Sequence, residues 1–199
     1  MPLIDAMLRE AGVEREQIRA LAVAAGPGSF TGLRIGIATA RGLAQGLDIP
    51  AVPVCTLAAM AENAFTPGAL ICPILDARRK QVYTALFRRP QPGSGELETL
   101  IEPAALSLSE LAEMLKEYEH PITFIGEGLH SYAEEITGLL PLQANLTAAP
   151  FRLCRAALVA LRGQKELEKK PLSSYRDLVP RYLRRPEAER KSASQERAD

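Results

Sequence analysis

A glycine-rich stretch, AAGPGSFTGLRIG, lies between a short apolar run and a long alanine-rich segment, and it constrains the structure on both sides. The apolar run at 18–25 is bounded by Gly26 and Pro27, which is typical of a buried strand. Residues 33–47 carry small and apolar side chains at helical spacing and end shortly before Pro50, so they predict a helix. The stretch therefore predicts a tight connection from a strand into a helix.

This connection has two alternative interpretations. Backbone N–H groups at the start of a helix favour an anion, so the loop could hold a phosphate. Glycines also permit positive φ and close approach, so the loop could be only a turn where two elements pack. The Walker lysine and the dinucleotide-binding glycine spacing are both missing, which favours the turn. Ser29 and Thr31 provide hydroxyls that suit either a ligand or a helix cap.

The predicted helix carries two rows of very small residues at i, i+4 spacing. One row is Gly32, Gly36, Ala40 and Ala44, and the other is Ala38, Gly42 and Gly46. A glycine inside a helix costs about 1 kcal/mol relative to alanine, so its repetition needs a reason. Small residues let another backbone approach closely, and that backbone belongs either to this chain's own sheet or to the helices of a partner.

The rest of the chain continues the alternation of strands and helices, which predicts an α/β class. Further helices are predicted at 3–11, 56–64, 107–115 and 151–161, and further strands at 51–54, 69–76, 81–87 and 122–125. Arg78, Arg79 and Lys80 form a charged turn inside a predicted hairpin. The best boundary between two subdomains lies at 66–69, where Pro67 and Gly68 end a helix.

Composition and charge exclude several functions. The net charge is +0, so no global field attracts nucleic acid or an anionic membrane. The three cysteines are widely spaced, and the two histidines cannot share a helical turn, so we expect reduced thiols and no metal site. No apolar run approaches the ~20 residues of a membrane helix, and the start lacks a signal-peptide pattern. We therefore expect a cytoplasmic protein with no membrane partner.

Two other features have an ordinary interpretation beside a functional one. Ser29 lacks a histidine in a motif-like context, so a catalytic triad is not indicated. A group of C-terminal arginines could form a local phosphate-binding patch, although neighbouring acids favour a solvated surface. These arginines are Arg176, Arg181, Arg184 and Arg185.

Several segments together resemble the bacterial TsaB family. They are GPGSFTGLRIG, ATARGLAQGLDIPAVPVCTLAAMA, PILDARRKQVYTALF, FIGEGLHSY and VPRYLRRPEAE, and they cover most of the chain. The family makes threonylcarbamoyladenosine in tRNA and has the ASKHA fold of actin, the Hsp70 ATPase domain and sugar kinases. We expect one subdomain at 1–67, a second at 68–185 and a charged, disordered tail at 186–199. Asp76 ends a strand where ASKHA enzymes keep acidic residues, but an aspartate before a turn is also common.

The resemblance also implies a role without catalysis. Family members accompany the catalytic subunit TsaD, which transfers a threonylcarbamoyl group to the adenosine next to the anticodon, and they join the ATPase TsaE in a larger assembly. For this chain it implies a heterodimer with TsaD through helices and indirect contact with tRNA. A helical face made for TsaD could also pair with a second copy of the chain when TsaD is absent. It implies no catalytic residue, no metal and no cofactor. The expected partner-binding residues are Leu3, Met7, Gly32, Gly36, Ala40, Leu43 and Ala44.

The chain departs from the family pattern at its start. A full member opens with strands and an Asp-Thr-Ser-like phosphate loop, whereas this chain begins inside the helix that follows them. We therefore expect an incomplete first subdomain, without most of a nucleotide site and unstable as an autonomous monomer. The alternative function is an enzyme of the same fold, either a nucleotide hydrolase or a glycopeptidase-like protease.

Overall fold

The computed structural model describes residues 2–90, 96–169 and 174–184, and their alternating helices and strands confirm the predicted α/β class. The helices are α1 (Pro2–Ala11), α2 (Phe30–Leu47), α3 (Thr56–Ala61), α4 (Leu108–Leu115), α5 (Leu129–Leu139) and α6 (Ala156–Lys169). The strands are β1 (Leu21–Gly26), β2 (Ala51–Cys55), β3 (Leu70–Asp76), β4 (Gln81–Arg88), β5 (Glu98–Ser107), β6 (Ile122–Ile125) and β7 (Ala144–Leu146). Short 3-10 helices lie at Arg15–Gln17, Ala149–Phe151 and Tyr175–Asp177.

The described strands form two sheets. The first sheet is the parallel pair β1 and β2. The second has the order β5-β4-β3-β6-β7, in which β3 pairs antiparallel with β4 and parallel with β6. The predicted hairpin is therefore confirmed, because β3 and β4 are joined by the charged turn at 77–80.

The two sheets share one repeated unit. In the first sheet β1 leads through α2 into the parallel strand β2, and in the second β6 leads through α5 into the parallel strand β7. Both units place a glycine with positive φ directly at the end of the first strand, Gly26 at 122° and Gly126 at 131°. Only glycine adopts these angles without strain, so both helices begin after the same kind of tight turn.

Helix α3 connects the cores of the two sheets. Leu57 and Met60 pack with Ile71 and Phe87 of the second sheet, and all four side chains are buried. Ala59, on another side of the same helix, packs instead with Val54 of β2 and Val159 of α6. Because α3 is buried along its whole length, it fixes the position of one sheet relative to the other.

Helix α6 and the segment after it return to the first sheet. Gly163 lies so close to β1 that a Cβ at this position would clash with the Ala22 side chain. Leu178 is fully buried among Ala25, Ile37 and Ala44. The division at 67 and 68 stays a prediction, but the described C-terminal residues pack on the sheet that precedes it.

Several element predictions differ from the structure. Strands β5 and β7, the edge strands of the second sheet, were not predicted, and β5 contains Pro103, which only an edge strand accommodates easily. No helix was predicted around His130, whereas this residue lies in α5, a helix without a polar capping side chain. Helix α6 begins at Ala156 instead of 151, because residues 152–155 are held by the bonds from Asn63 to the Leu153 carbonyl and from Arg152 to the Thr147 carbonyl. The predicted tail at 186–199 lies outside the described residues.

Candidate functional site

The glycine-rich loop is a tightly packed turn. Gly26 and Pro27 are joined by a cis peptide bond, and a Cβ on Gly26 would lie 2.5 Å from the Arg181 carbonyl oxygen. Ser29 is the N-cap of α2, where its hydroxyl accepts a hydrogen bond from the Gly32 N–H at 3.4 Å. The glycine and the serine thus have structural roles in this turn, as the close-packing interpretation predicts.

The C-terminal segment lies directly over this loop. The Tyr182 ring stacks on the Phe30 ring with 4.7 Å between centroids, and the Arg34 guanidinium lies 3.9 Å from the Phe30 centroid. Arg34 Nε donates to the Tyr182 hydroxyl at 3.0 Å, and the Arg181 N–H donates to the Ala25 carbonyl at 2.6 Å. The start of α2 is therefore covered on one side by the chain itself.

The two rows of small residues lie on different faces of α2. Ala40 and Ala44 of the first row are buried in the core of the first sheet. Gly36 and Leu43 are half-buried at the border of that face, and Gly32 is exposed. Two of the predicted partner-binding residues, Ala40 and Ala44, therefore pack inside this chain's own core.

The second row of small residues is exposed. Ala38, Gly42 and Gly46 all face solvent. For both glycines, no described atom beyond their own stretch of helix lies within 4 Å of the position that a Cβ would occupy. Ile35, on the same face, is 63% exposed. We call these four residues the outer face of α2.

Helix α1 exposes its apolar side chains as well. Leu3 is 85% and Met7 58% exposed, although the two residues lie one helical turn apart and form one apolar face. No described residue of α1 is buried. Asp5 forms ion pairs with Arg9 and Arg15, which lowers the pKa of its carboxyl. The structure thus places Leu3 and Met7 where a partner could reach them.

Asp76 has local partners at the end of β3. Its Oδ1 accepts the Arg78 N–H at 2.7 Å and the Tyr132 hydroxyl at 3.2 Å. Burial and the neighbouring Asp76 carboxylate raise the pKa of the Tyr132 hydroxyl. These bonds give Asp76 the structural role of closing a turn.

The cysteines and histidines form no metal-binding group in the part of the chain that the structure describes. All three cysteines are free thiols, and burial raises the pKa of Cys72 to about 12. His120 and His130 are both exposed. No group of three His, Cys, Asp or Glu side chains among the described residues is arranged to hold a metal ion.

One charged cluster was not found by sequence analysis. Glu62 follows α3 and is 2% exposed, and its carboxylate lies 2.8 Å from Arg89 Nη1 and 3.2 Å from Lys165 Nζ. Arg162 Nη1 approaches the same carboxylate at 3.8 Å. Arg89 also donates to the carbonyls of Ala61 and Ala64. The cluster therefore links the residue after β4 and two residues of α6 to the end of α3.

The C-terminal arginines are spread over two parts of the molecule. Arg176 and Arg181 are exposed beside the first sheet, where Arg41 donates to the Arg176 carbonyl at 3.1 Å. Arg184 reaches the second sheet and donates from Nη1 to the Ala77 carbonyl at 2.8 Å. Arg185 lies outside the described residues. The alternative of a single phosphate-binding patch, which the sequence disfavoured, is therefore not observed among the described arginines.

The sequence matches one family model and several proteins of known name. A family model described as TsaD, tRNA N6-adenosine threonylcarbamoyltransferase, matches residues 1–192. The chain is 36% identical over 191 residues to the tRNA threonylcarbamoyladenosine biosynthesis protein TsaB of Bacillus subtilis, covering 96% of this chain and 80% of the relative. It is 31% identical over 189 residues to the protein of the same name from Haemophilus influenzae, covering 92% and 78%.

A solved structure gives the same result for the fold. It is titled as an uncharacterized protein from Pseudomonas aeruginosa with similarity to peptidase YEAZ, and it matches with a TM-score of 0.76 at 29% identity. The match covers 92% of this chain and 82% of that chain. These likenesses confirm the predicted resemblance and the ASKHA-like fold. Among the described residues, no helix is both long and apolar enough to span a membrane.

Proposed function

The chain belongs to the TsaB family of tRNA threonylcarbamoyladenosine biosynthesis proteins, and we propose that it is a non-catalytic subunit that docks the catalytic subunit TsaD through α1 and α2. Docking supports threonylcarbamoyl transfer to the adenosine next to the anticodon of tRNA. In this proposal the chain works in the cytoplasm and needs no cofactor or metal of its own.

The outer face of α2 carries this proposal. Gly42 and Gly46 each cost about 1 kcal/mol relative to alanine inside a helix. The packing of the described chain does not require either glycine, because a Cβ at either position would meet only open space. A surface of small residues along a helix lets a second helix approach closely, so the occupant we infer is a helix of TsaD.

Exposed apolar side chains on α1 and α2 support the same conclusion. Ile35 lies on the outer face itself, and Leu3 and Met7 line α1. Large apolar side chains grouped on a surface mark sites of protein association. Gly32, Gly36 and Leu43 border the face and are proposed contacts at its rim. Ala40 and Ala44 contribute to docking only indirectly, because their small size lets α2 lie close to β1 and β2 and so holds the outer face in position.

The proposal includes two further associations. TsaE joins the TsaD-bound form, and tRNA is brought to the complex through TsaD. In the absence of TsaD, the apolar face of α1 and the outer face of α2 are expected to pair with a second copy of the chain. Sedimentation of the chain with and without TsaD measures this, because the self-associated form should disappear when TsaD is added.

Co-expression with TsaD from the same organism tests the proposal. A tag on this chain should retain TsaD, and the retained complex supplied with TsaE and the threonylcarbamoyl donor should modify tRNA. The chain alone should neither hydrolyse ATP nor cleave a glycoprotein above the blank. An activity of the purified chain that disappears in Ser29→Ala or Asp76→Ala would contradict the non-catalytic role and support the enzyme alternative.

A further inference from the structure

The turn between β3 and β4 has an unusual conformation for its sequence. Arg78, Arg79 and Lys80 have φ values of 63°, 55° and 57°, so three successive residues lie in the left-handed region. Glycine and asparagine adopt this region readily, whereas long basic side chains seldom do. The turn is closed by the bond from the Ala77 N–H to the Gln81 carbonyl at 2.9 Å. Strained backbone of this kind is concentrated at functional sites, and here the strained residues are all cationic.

The fold adds a fourth cation to this turn. Arg184 follows the C-terminal segment across the molecule and donates to the carbonyl of Ala77, the residue directly before the turn. Two basic segments that lie about a hundred residues apart in the chain are thereby brought to one place. We call Arg78, Arg79, Lys80 and Arg184 the basic turn.

The positive charge of the basic turn is accessible to a ligand. Arg78, Arg79 and Lys80 are all exposed, and the Arg78 side chain is 89% exposed. The Asp76 carboxylate lies 3.9 Å from Arg78 Nε. Arg78 and Lys80 therefore present exposed positive charge at this turn, although the whole chain is neutral.

We propose that the basic turn binds phosphates of the tRNA backbone directly, an inference that rests on the proposed function and extends it beyond indirect contact. Arginine presents a planar fork of donors that matches a phosphate, and fixed cations at a turn follow a polyanion better than a single charge does. A protein partner fits less well, because no exposed large hydrophobic residue lies in the turn to form the apolar centre of a protein interface.

Binding of an unmodified tRNA transcript tests the inference, measured on the complex with TsaD and on the full chain alone. The double variant Arg78→Asn, Lys80→Asn removes two charges while asparagine suits the left-handed backbone. Affinity should fall about tenfold, and the slope of log affinity against log salt should shrink by about 1.5 units between about 50 and 200 mM salt. The control Arg19→Asn, Lys116→Asn removes two exposed cations elsewhere and should bind as the unaltered chain.

Three results would overturn the inference. The first is a double variant that binds tRNA within twofold of the unaltered chain with the same salt slope. The second is loss of TsaD from the double variant during purification, which would show that the turn contacts protein. The third is displacement of tRNA from the turn by excess ATP, which would assign it to the phosphates of a nucleotide. If the unaltered chain fails to retain TsaD, the proposed function is contradicted, but the inference about tRNA is not. In that case the inference is tested by comparing tRNA binding of the unaltered chain and the double variant, each measured without TsaD.

Discussion

Ala40 and Gly42 lie two residues apart on α2 but on opposite faces of it. Ala40 is 8% exposed and packs in the core of the first sheet, whereas Gly42 faces solvent with no described atom beyond its own helix near the position of a Cβ. This relationship separates two roles that look alike in the sequence. The inner row of small residues serves folding, and the outer row is available to a partner.

Ala40→Leu should destabilise the chain. The side chain would enter a close-packed core beside Ile37 and Leu178, and overpacking of this kind costs about 1–3 kcal/mol. Urea unfolding followed by circular dichroism measures the change in the free energy of unfolding. An unchanged midpoint would show that the inner face of α2 is not packed as described.

Gly163→Ala should also lower the free energy of unfolding, because its Cβ would clash with the Ala22 side chain on β1. Gly138→Ala is the matched control, since Gly138 is also helical but has open space at its Cβ position. The control should be neutral or raise stability by up to about 1 kcal/mol. Equal effects of the two substitutions in the same denaturation experiment would argue against the contact between α6 and β1.

Removal of the Glu62 carboxylate should be strongly destabilising. Glu62→Ala leaves Arg89, Arg162 and Lys165 without their shared counter-ion in a mostly buried place, at a cost of about 3–5 kcal/mol. Glu113→Ala breaks the exposed pair with Lys116 and should change stability by less than about 1 kcal/mol. Comparison of the two melts decides the point, and a Glu62 variant as stable as the Glu113 variant would contradict a structural role for the cluster.

The sequence predicted most elements because their periodicity was strong. The apolar strand before Gly26 and the helix after Ser29 were found within a few residues of their observed bounds. Strand β5 was missed because it is an edge strand whose glutamates and Pro103 break the alternation of apolar residues. The short strand β7 has only three residues, too few for a pattern.

The candidate site was only partly predictable. Two rows of small residues were visible in the sequence, but the choice between them depends on which one faces the sheet. A signal for this was present, since Leu33 and Ile37 continue the stripe of Ala40 and Ala44 and mark it as the inner row. The Glu62 cluster joins residues up to 103 positions apart, so local pattern could not reveal it.

The affinity for TsaD of the Gly42→Leu variant tests the central claim most directly. The leucine would occupy open space in the free chain and favours a helix over glycine, so the variant should unfold at the same or a higher denaturant concentration. On the outer face it should keep a TsaD helix at a distance and weaken binding at least about tenfold, or about 1.4 kcal/mol. Gly138→Leu places the same side chain in open space on α5 and should bind TsaD as the unaltered chain does. A Gly42→Leu variant that binds TsaD as tightly as the Gly138→Leu control would contradict docking through α2.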